Sequence, residues 1–164
     1  MRLIFLFLFL FSMPSVWAMA NLSQLAVRTP LVGHPAPDVV LPKTDGTSSA
    51  VLAGSKGRKT IVVFWATWCP HCHEDLSELN DDLDAIGQKG ITPVLVDVGE
   101  NKDQVRDYLA QQHIKLASFV DENSIVQDKY FLIGVPTLLF IDEKGIVRSV
   151  THQLPSDYEN YFYP

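Results

Sequence analysis

The chain has only two cysteines in 164 residues, Cys69 and Cys72, too few for the dense disulfide frameworks that hold small secreted domains together. It is also short of positive charge, with 13 Lys and Arg against 19 Asp and Glu and a formal net charge of -6. Nucleic-acid binding therefore lacks its electrostatic footprint, and no basic tract serves an anionic membrane surface. Methionine occurs only as Met1, Met13 and Met19, and no internal repeat or low-complexity stretch follows them. What is present is ordinary globular composition, 47% hydrophobic and 20% charged residues. The length suits one domain and falls short of two.

Residues 1–20 hold one positive charge (Arg2), an apolar run from Leu3 to Phe11, and two small-residue cleavage patterns, Val16/Ala18 and Ala18/Ala20. That is the layout of a secretory signal peptide. Ser12, Pro14 and Ser15 interrupt the run well before the roughly 20 apolar residues of a membrane span. Cleavage after Ala18 or Ala20 is therefore expected rather than anchoring, and with no Cys near either site lipid attachment is not. Cutting after Ala20 leaves 12 basic against 19 acidic residues, a net charge of -7, and no methionine. Export to the periplasm or another oxidising compartment narrows the two cysteines to a structural disulfide, metal ligands or a redox catalyst.

Residues 21–32 read as an irregular segment and 33–164 as the domain, with Pro30, Gly33, Pro35 and Pro37 forbidding a helix at the junction. Val39–Leu41 and a run ending near Val51 are short strand candidates around an Asp45-Gly46 turn. Thr60–Trp65 is apolar on both parities, as in a strand buried on both faces. Pro70–Gln88 carries Leu76, Leu79, Leu83 and Ile86 at helical spacing, with Pro70 suited to a first helical position. Ile91–Val98 is a second buried strand, and Asn101 caps a helix to about Gln112. A short strand over Ala117–Val120, a short helix over Ser124–Leu132, a strand from Gly134 to Ile141 and an antiparallel return over Ile146–Val150 complete the order. The aromatic, acidic tail from Gln153 has little room for a helix. This is an α/β chain with a central mixed sheet flanked by helices.

The chemistry concentrates at Cys69-Pro70-His71-Cys72, where a buried strand ends and a helix begins. A thiol there faces unpaired helical N–H groups and the positive end of the dipole, which favour the thiolate. Cys69 is thus the expected nucleophile, and Cys72, one turn deeper, can close a disulfide or resolve a mixed one. His71 can stabilise the thiolate, whereas Glu74 and Asp75 oppose it or simply complement the helix dipole. A static disulfide over so small a loop would add little stability. Zinc would need four ligands crowded within five residues, and no metal site is expected. The string also satisfies the haem-attachment pattern C-x-x-C-H with His73, but a chain without methionine lacks the common distal ligand, leaving only His34, His113 or His152.

The run Phe64-Trp65-Ala66-Thr67-Trp68-Cys69-Pro70-His71-Cys72 resembles the active-site segment of exported thioredoxin-fold thiol:disulfide oxidoreductases of the TlpA/ResA type. The resemblance extends from about Gly33 to Val150 through Ala36-Pro37-Asp38, Asp45-Gly46, Leu52 with Lys56-Gly57, Gly134-Val135-Pro136-Thr137, and Ile141-Asp142 with Gly145. It implies a thioredoxin fold with an N-terminal β extension and a helix–strand insertion over Asn101–Val120. It also implies a cis peptide before Pro136, with Val135 and Pro136 facing the disulfide and pairing with substrate. Trp68 would line the site while Trp65 belongs to the core. The family carries Glu where Asp75 stands, and cytoplasmic thioredoxins carry a buried Asp where Val63 stands. Peroxiredoxins have Thr where Ala66 stands, three residues before the reactive cysteine.

The resemblance implies an enzyme exchanging disulfides with thiols or disulfides of exported proteins and needing no cofactor beyond the Cys69–Cys72 pair. A membrane or periplasmic redox partner would recycle it. It favours a reductant, including reduction of apocytochrome cysteines before haem attachment. The Pro70-His71 dipeptide resembles that of DsbA-type oxidases, so a disulfide-donating or isomerase role stands as the alternative.

Overall fold

In a computed structural model, residues 29–46, 49–51 and 57–163 are described. The expected signal peptide over residues 1–20, most of the segment 21–32, and Leu52 and Lys56 lie outside the described residues. Five strands form the central sheet in the order β5-β4-β3-β6-β7: β3 (Lys59–Trp65), β4 (Ile91–Val98), β5 (Ser118–Asp121), β6 (Thr137–Ile141) and β7 (Val147–Thr151). The pairs β3–β4 and β4–β5 are parallel, whereas β3–β6 and β6–β7 are antiparallel. A two-stranded antiparallel sheet, β1 (Val40–Pro42) with β2 (Ser49–Val51), lies beside it through a bridge from Lys43 to Phe119. This is the thioredoxin fold with its N-terminal β extension.

Period-two alternation divides β3 between two apolar layers. Ile61, Val63 and Trp65 meet Leu76, Leu79, Ile86, Val105 and Leu109 from the helices on one face. Val62 and Phe64 meet Leu31, Val39, Leu41, Val126 and Tyr130 on the other. Every β3 side chain from Thr60 onward is buried, which is why the strand reads as a continuous apolar run rather than an alternating one.

The predicted helix over Pro70–Gln88 forms in two pieces, α1 (Pro70–Asp81) and α2 (Leu83–Gln88), separated by Asp82. Asp81, Asp82 and Asp84 crowd three poor helix formers of like charge into four positions. The apolar stripe nevertheless continues across the break, with Leu79 and Ile86 fully buried. In α3 (Lys102–Gln111), Asn101 caps as expected, its side chain accepting the Gln104 N–H at 2.9 Å. The short α4 (Ile125–Lys129) precedes β6.

The C-terminal tail contributes more than its composition suggested. Tyr158–Phe162 form a 3-10 helix, and the Phe162 and Tyr161 rings lie 5.4 and 5.2 Å from Phe140. Its aromatic residues close one end of the core.

Candidate active site

Three local features position Cys69. The buried strand β3 ends at Trp65, a turn closes from Cys69 N–H to Ala66 O (3.2 Å), and Pro70 begins α1. Cys69 is the helix N-cap, and its Sγ accepts the Cys72 backbone N–H at 3.2 Å. The two sulfurs are joined as a disulfide with a Cα–Cα distance of 5.3 Å. Cys72 is fully buried and Cys69 is 3% exposed, so Cys69 is the marginally more accessible residue.

The turn residues split in role. Trp68 stands 68% exposed beside a groove of about 210 Å³ that Val98, Leu132, Ile133 and Val135 also line. Thr67 is tied down: its N–H and hydroxyl both donate to the Glu100 carboxylate, at 2.5 and 2.6 Å, and Gln104 Nε2 donates to the same carboxylate. His73 Nε2 lies 2.9 Å from Thr67 O. A carbonyl only accepts, so that nitrogen carries the proton. Beneath this clamp sits Asp97, completely buried next to Trp65 in the β3–β4 register. Its Oδ1 accepts the Glu100 N–H at 3.1 Å, and its Oδ2 meets no donor. Burial, reinforced by the hydrogen bond and charge of Glu100, pushes the Asp97 carboxyl up to about 8. With its pKa raised to about 8, Asp97 keeps its proton through neutral pH.

Asp97 and Glu100 drew no attention as sequence, because both fall at the end of an apolar strand. Their location was the available signal, since functional groups in parallel sheets gather at the carboxyl ends of strands.

His71 faces solvent. Its side chain is 83% exposed and its Nδ1 lies 3.9 Å from the equally exposed Glu74 carboxylate. Asp75, by contrast, is buried on the Cys72 side of α1. Its Oδ1 accepts the Leu154 N–H at 2.9 Å, its Oδ2 is unpartnered, and burial raises its pKa. Asp75 and Cys72 are three residues apart on one helix and so share a face.

The strand β6 runs antiparallel to β3, so its first residue Thr137 lies beside Phe64. That brings the Val135–Pro136 peptide, which is cis, to the sheet end that carries Cys69. The Val135 side chain packs against the cluster containing both cysteines. The Thr137 hydroxyl donates to Gly134 O at 2.7 Å, and His152 Nδ1 lies 3.2 Å from Pro136 O. His152 reads as a surface residue in the sequence, and its approach to the bend depends on the β6–β7 register. His34 and His113 are exposed. Among the described residues no three His, Cys, Asp or Glu side chains converge as metal ligands, and no helix is long and apolar enough to cross a membrane.

Residues 32–150 match the AhpC/TSA family. Thiol-disulfide oxidoreductase ResA of Bacillus subtilis (strain 168) is 27% identical over 137 residues, covering 80% of this chain and 76% of that protein. Sporulation thiol-disulfide oxidoreductase A of the same organism is 30% identical over 97 residues, which span 57% of this chain and 59% of the relative. A crystal structure from Chlorobium tepidum, described as a thiol:disulfide interchange protein DsbE, superposes with a TM-score of 0.70 at 27% identity. It covers 78% of this chain and 90% of its own.

Proposed function

The chain belongs to the AhpC/TSA family and is a thiol-disulfide oxidoreductase of the ResA-like kind, and from that premise we propose that it reduces disulfides in exported client proteins through Cys69 and Cys72. The observation that carries this reading is the Cys69–Cys72 disulfide at the N-terminus of α1, where helical N–H groups favour a thiolate at Cys69.

In the reducing direction the Cys69 thiolate attacks one sulfur of a client disulfide. The new Cys69–client bond forms as the client S–S bond breaks, and the departing client sulfur takes a proton. Cys72 then gives up its proton and attacks Cys69 Sγ, which forms the intramolecular disulfide and releases the second client sulfur as a thiol. The client gains two electrons from the two protein sulfurs and two protons; because Cys69 starts as the thiolate, the pair supplies one proton, from Cys72, and solvent supplies the other, with no cofactor involved. A membrane or periplasmic dithiol partner restores the reduced pair.

Asp75 is the proposed acceptor for the Cys72 proton. Its free Oδ2 and a pKa that burial raises above the usual carboxylate value make it a better proton acceptor than an exposed aspartate. Trp68 lines the site, Pro70 starts the helix under the thiolate, and Val135 with Pro136 offers backbone to an extended client segment.

The exposure of His71 supports the reductant direction, because an imidazole held largely in solvent stabilises a thiolate less than a buried one would, and the dithiol then gives up electrons more readily. The signal-peptide pattern of residues 1–20 supports a periplasmic or otherwise exported location, and apocytochrome cysteines awaiting haem are the proposed clients. Peroxidase chemistry is left out of the proposal because Ala66 stands three residues before Cys69.

The experiment is the Cys72→Ser variant in a secreting host. Client proteins should accumulate as mixed disulfides with Cys69, visible on non-reducing gels and released by dithiothreitol. A variant that traps nothing would remove Cys69 as the attacking thiol.

A further inference from the structure

The loop between α4 and β6 holds two large apolar residues in the open, Phe131 at 54% and Ile133 at 79% exposure. Phe131 also adopts φ +53, a region that side chains with a Cβ avoid. The cause is the way α4 ends. Tyr130 is the C-cap, and the next two N–H groups turn back, Phe131 N to Asp128 O at 3.4 Å and Leu132 N to Gln127 O at 2.9 Å. This double closure sets the residue after the cap left-handed, a position glycine usually fills. Phenylalanine there strains the backbone and, half exposed, recovers little by burial. Stability of the fold does not account for it, and strain of this sort points toward function.

Phe131 and Ile133 do line something. With Tyr130, Thr137, Val150 and His152 they border a largely apolar cavity of about 170 Å³. Ile133 also lines the groove along Trp68 and Val135, so it is a ridge between the two hollows. The cavity adjoins the Gly134–Pro136 bend. The Thr137 hydroxyl donates to Gly134 O, and His152 Nδ1–H, which faces Pro136 O at 3.2 Å and Thr137 Oγ1 at 3.3 Å, donates there. The carbonyls on either side of Val135 are thereby engaged. Among the described residues, neither N–H nor C=O of Val135 makes a hydrogen bond. A client strand paired there turns alternate side chains to one face at about 3.3 Å per residue, within reach of the cavity mouth at Ile133 and Thr137. The volume is below the roughly 300–1,000 Å³ of small-molecule sites and suits one side chain.

We propose that Phe131 and Ile133 are client-specificity residues that form, with the cavity behind them, a subsite for one large apolar side chain flanking the reacting cysteine of an extended client segment. This inference rests on the client-pairing role of Val135 given above.

The experiment uses the purified, reduced protein and two peptides, each with one cysteine held as a glutathione mixed disulfide. One peptide has Leu at both positions flanking the cysteine and the other has Ser. Reduction yields peptide thiol and glutathione as Cys69–Cys72 oxidises, and the second-order rate constant of this single turnover is measured for each peptide. Wild type should prefer the Leu peptide by about tenfold. Phe131→Gly and Ile133→Ser should each bring that ratio close to one, while Val40→Ser, an exposed apolar residue elsewhere, should not. The Phe131→Gly unfolding midpoint should equal or exceed that of wild type, an outcome a structural role for Phe131 would not give. A wild type without preference, or variants that keep it, would overturn the subsite, as would a lower midpoint with equal losses on both peptides. If Phe131→Gly does not fold, Ile133→Ser decides alone. A wild type inert toward both peptides and toward oxidised glutathione would instead overturn the oxidoreductase reading itself.

Discussion

Replacing Asp97 by Asn should flatten the dependence of stability on pH and leave the protein more robust at the alkaline end. Asp97 is completely buried, accepts one N–H from Glu100 and has a second oxygen without a partner, while the nearby Glu100 carboxylate already holds Thr67 and Gln104. Burial and Glu100 push its pKa up to about 8, against about 3.9 in an unfolded chain. Between those values the folded protein keeps a proton that the unfolded chain releases. The stability contributed by this group is therefore complete below about pH 3.9 and falls as pH rises, by about 1.4 kcal/mol per unit, until the folded group also ionises. From about pH 5.5 to about pH 7.5 the loss is about 2.7 kcal/mol. Asparagine keeps the carbonyl oxygen for Glu100 N–H, offers an N–H toward the Glu100 carboxylate, and has nothing to titrate. Asp75, also raised by burial, is common to both proteins and cancels in the difference. Urea unfolding of oxidised wild type and Asp97→Asn across this range gives the two stabilities by linear extrapolation. The gap should widen in favour of the variant by about 2.7 kcal/mol. A gap that stays constant with pH, with the variant the weaker at every point, would mean Asp97 is ionised in the fold.

Asp142 should behave with the opposite sign. Burial alone would raise its pKa, but the N–H groups of Ile146 and Lys144 and the Arg148 guanidinium outweigh that and hold its carboxyl below the usual range. Its contribution is present above about pH 3.9 and lost as pH falls through the folded pKa, so Asp142→Asn should cost about 2 kcal/mol near neutrality and progressively less in acid. An acid-unfolding curve that the substitution leaves unchanged would contradict this. Tyr130→Phe removes the hydroxyl that donates to Pro37 O at 2.5 Å in a buried setting. It should lower stability by about 1–2 kcal/mol in chemical denaturation, and a neutral result would mean water takes over at Pro37.

Most of the architecture was legible because its signals are local. The strands β3, β4 and β6 are apolar runs bounded by turn residues, and the first-turn Pro70 and the cap Asn101 name their own helices. The break at Asp82 was harder to read, since the Leu79–Ile86 stripe runs across it and only the three clustered aspartates mark it. The tail looked like loose aromatic chain because burial of Phe162 against Phe140 depends on a distant strand. The site divides in the same way. Cys69 and Cys72 announce themselves through spacing and position, and Asp75 through its offset from Cys72. Glu100, Asp97 and His152 act across strand pairings, which no short window of sequence contains. Phe131 is the extreme case, since only the backbone shows that it occupies a position suited to glycine.

Cys69 and Cys72 are proposed to form one reversible redox couple poised to reduce. Titration of the purified protein in thiol/disulfide buffers, with the thiol content read by alkylation mass shift, measures its potential. A single two-electron transition near the thioredoxin value of about -270 mV is expected, absent in Cys72→Ser. A transition near about -120 mV, as in a strong disulfide donor, would reverse the direction of electron flow, and a pair that does not titrate would contradict the redox function altogether.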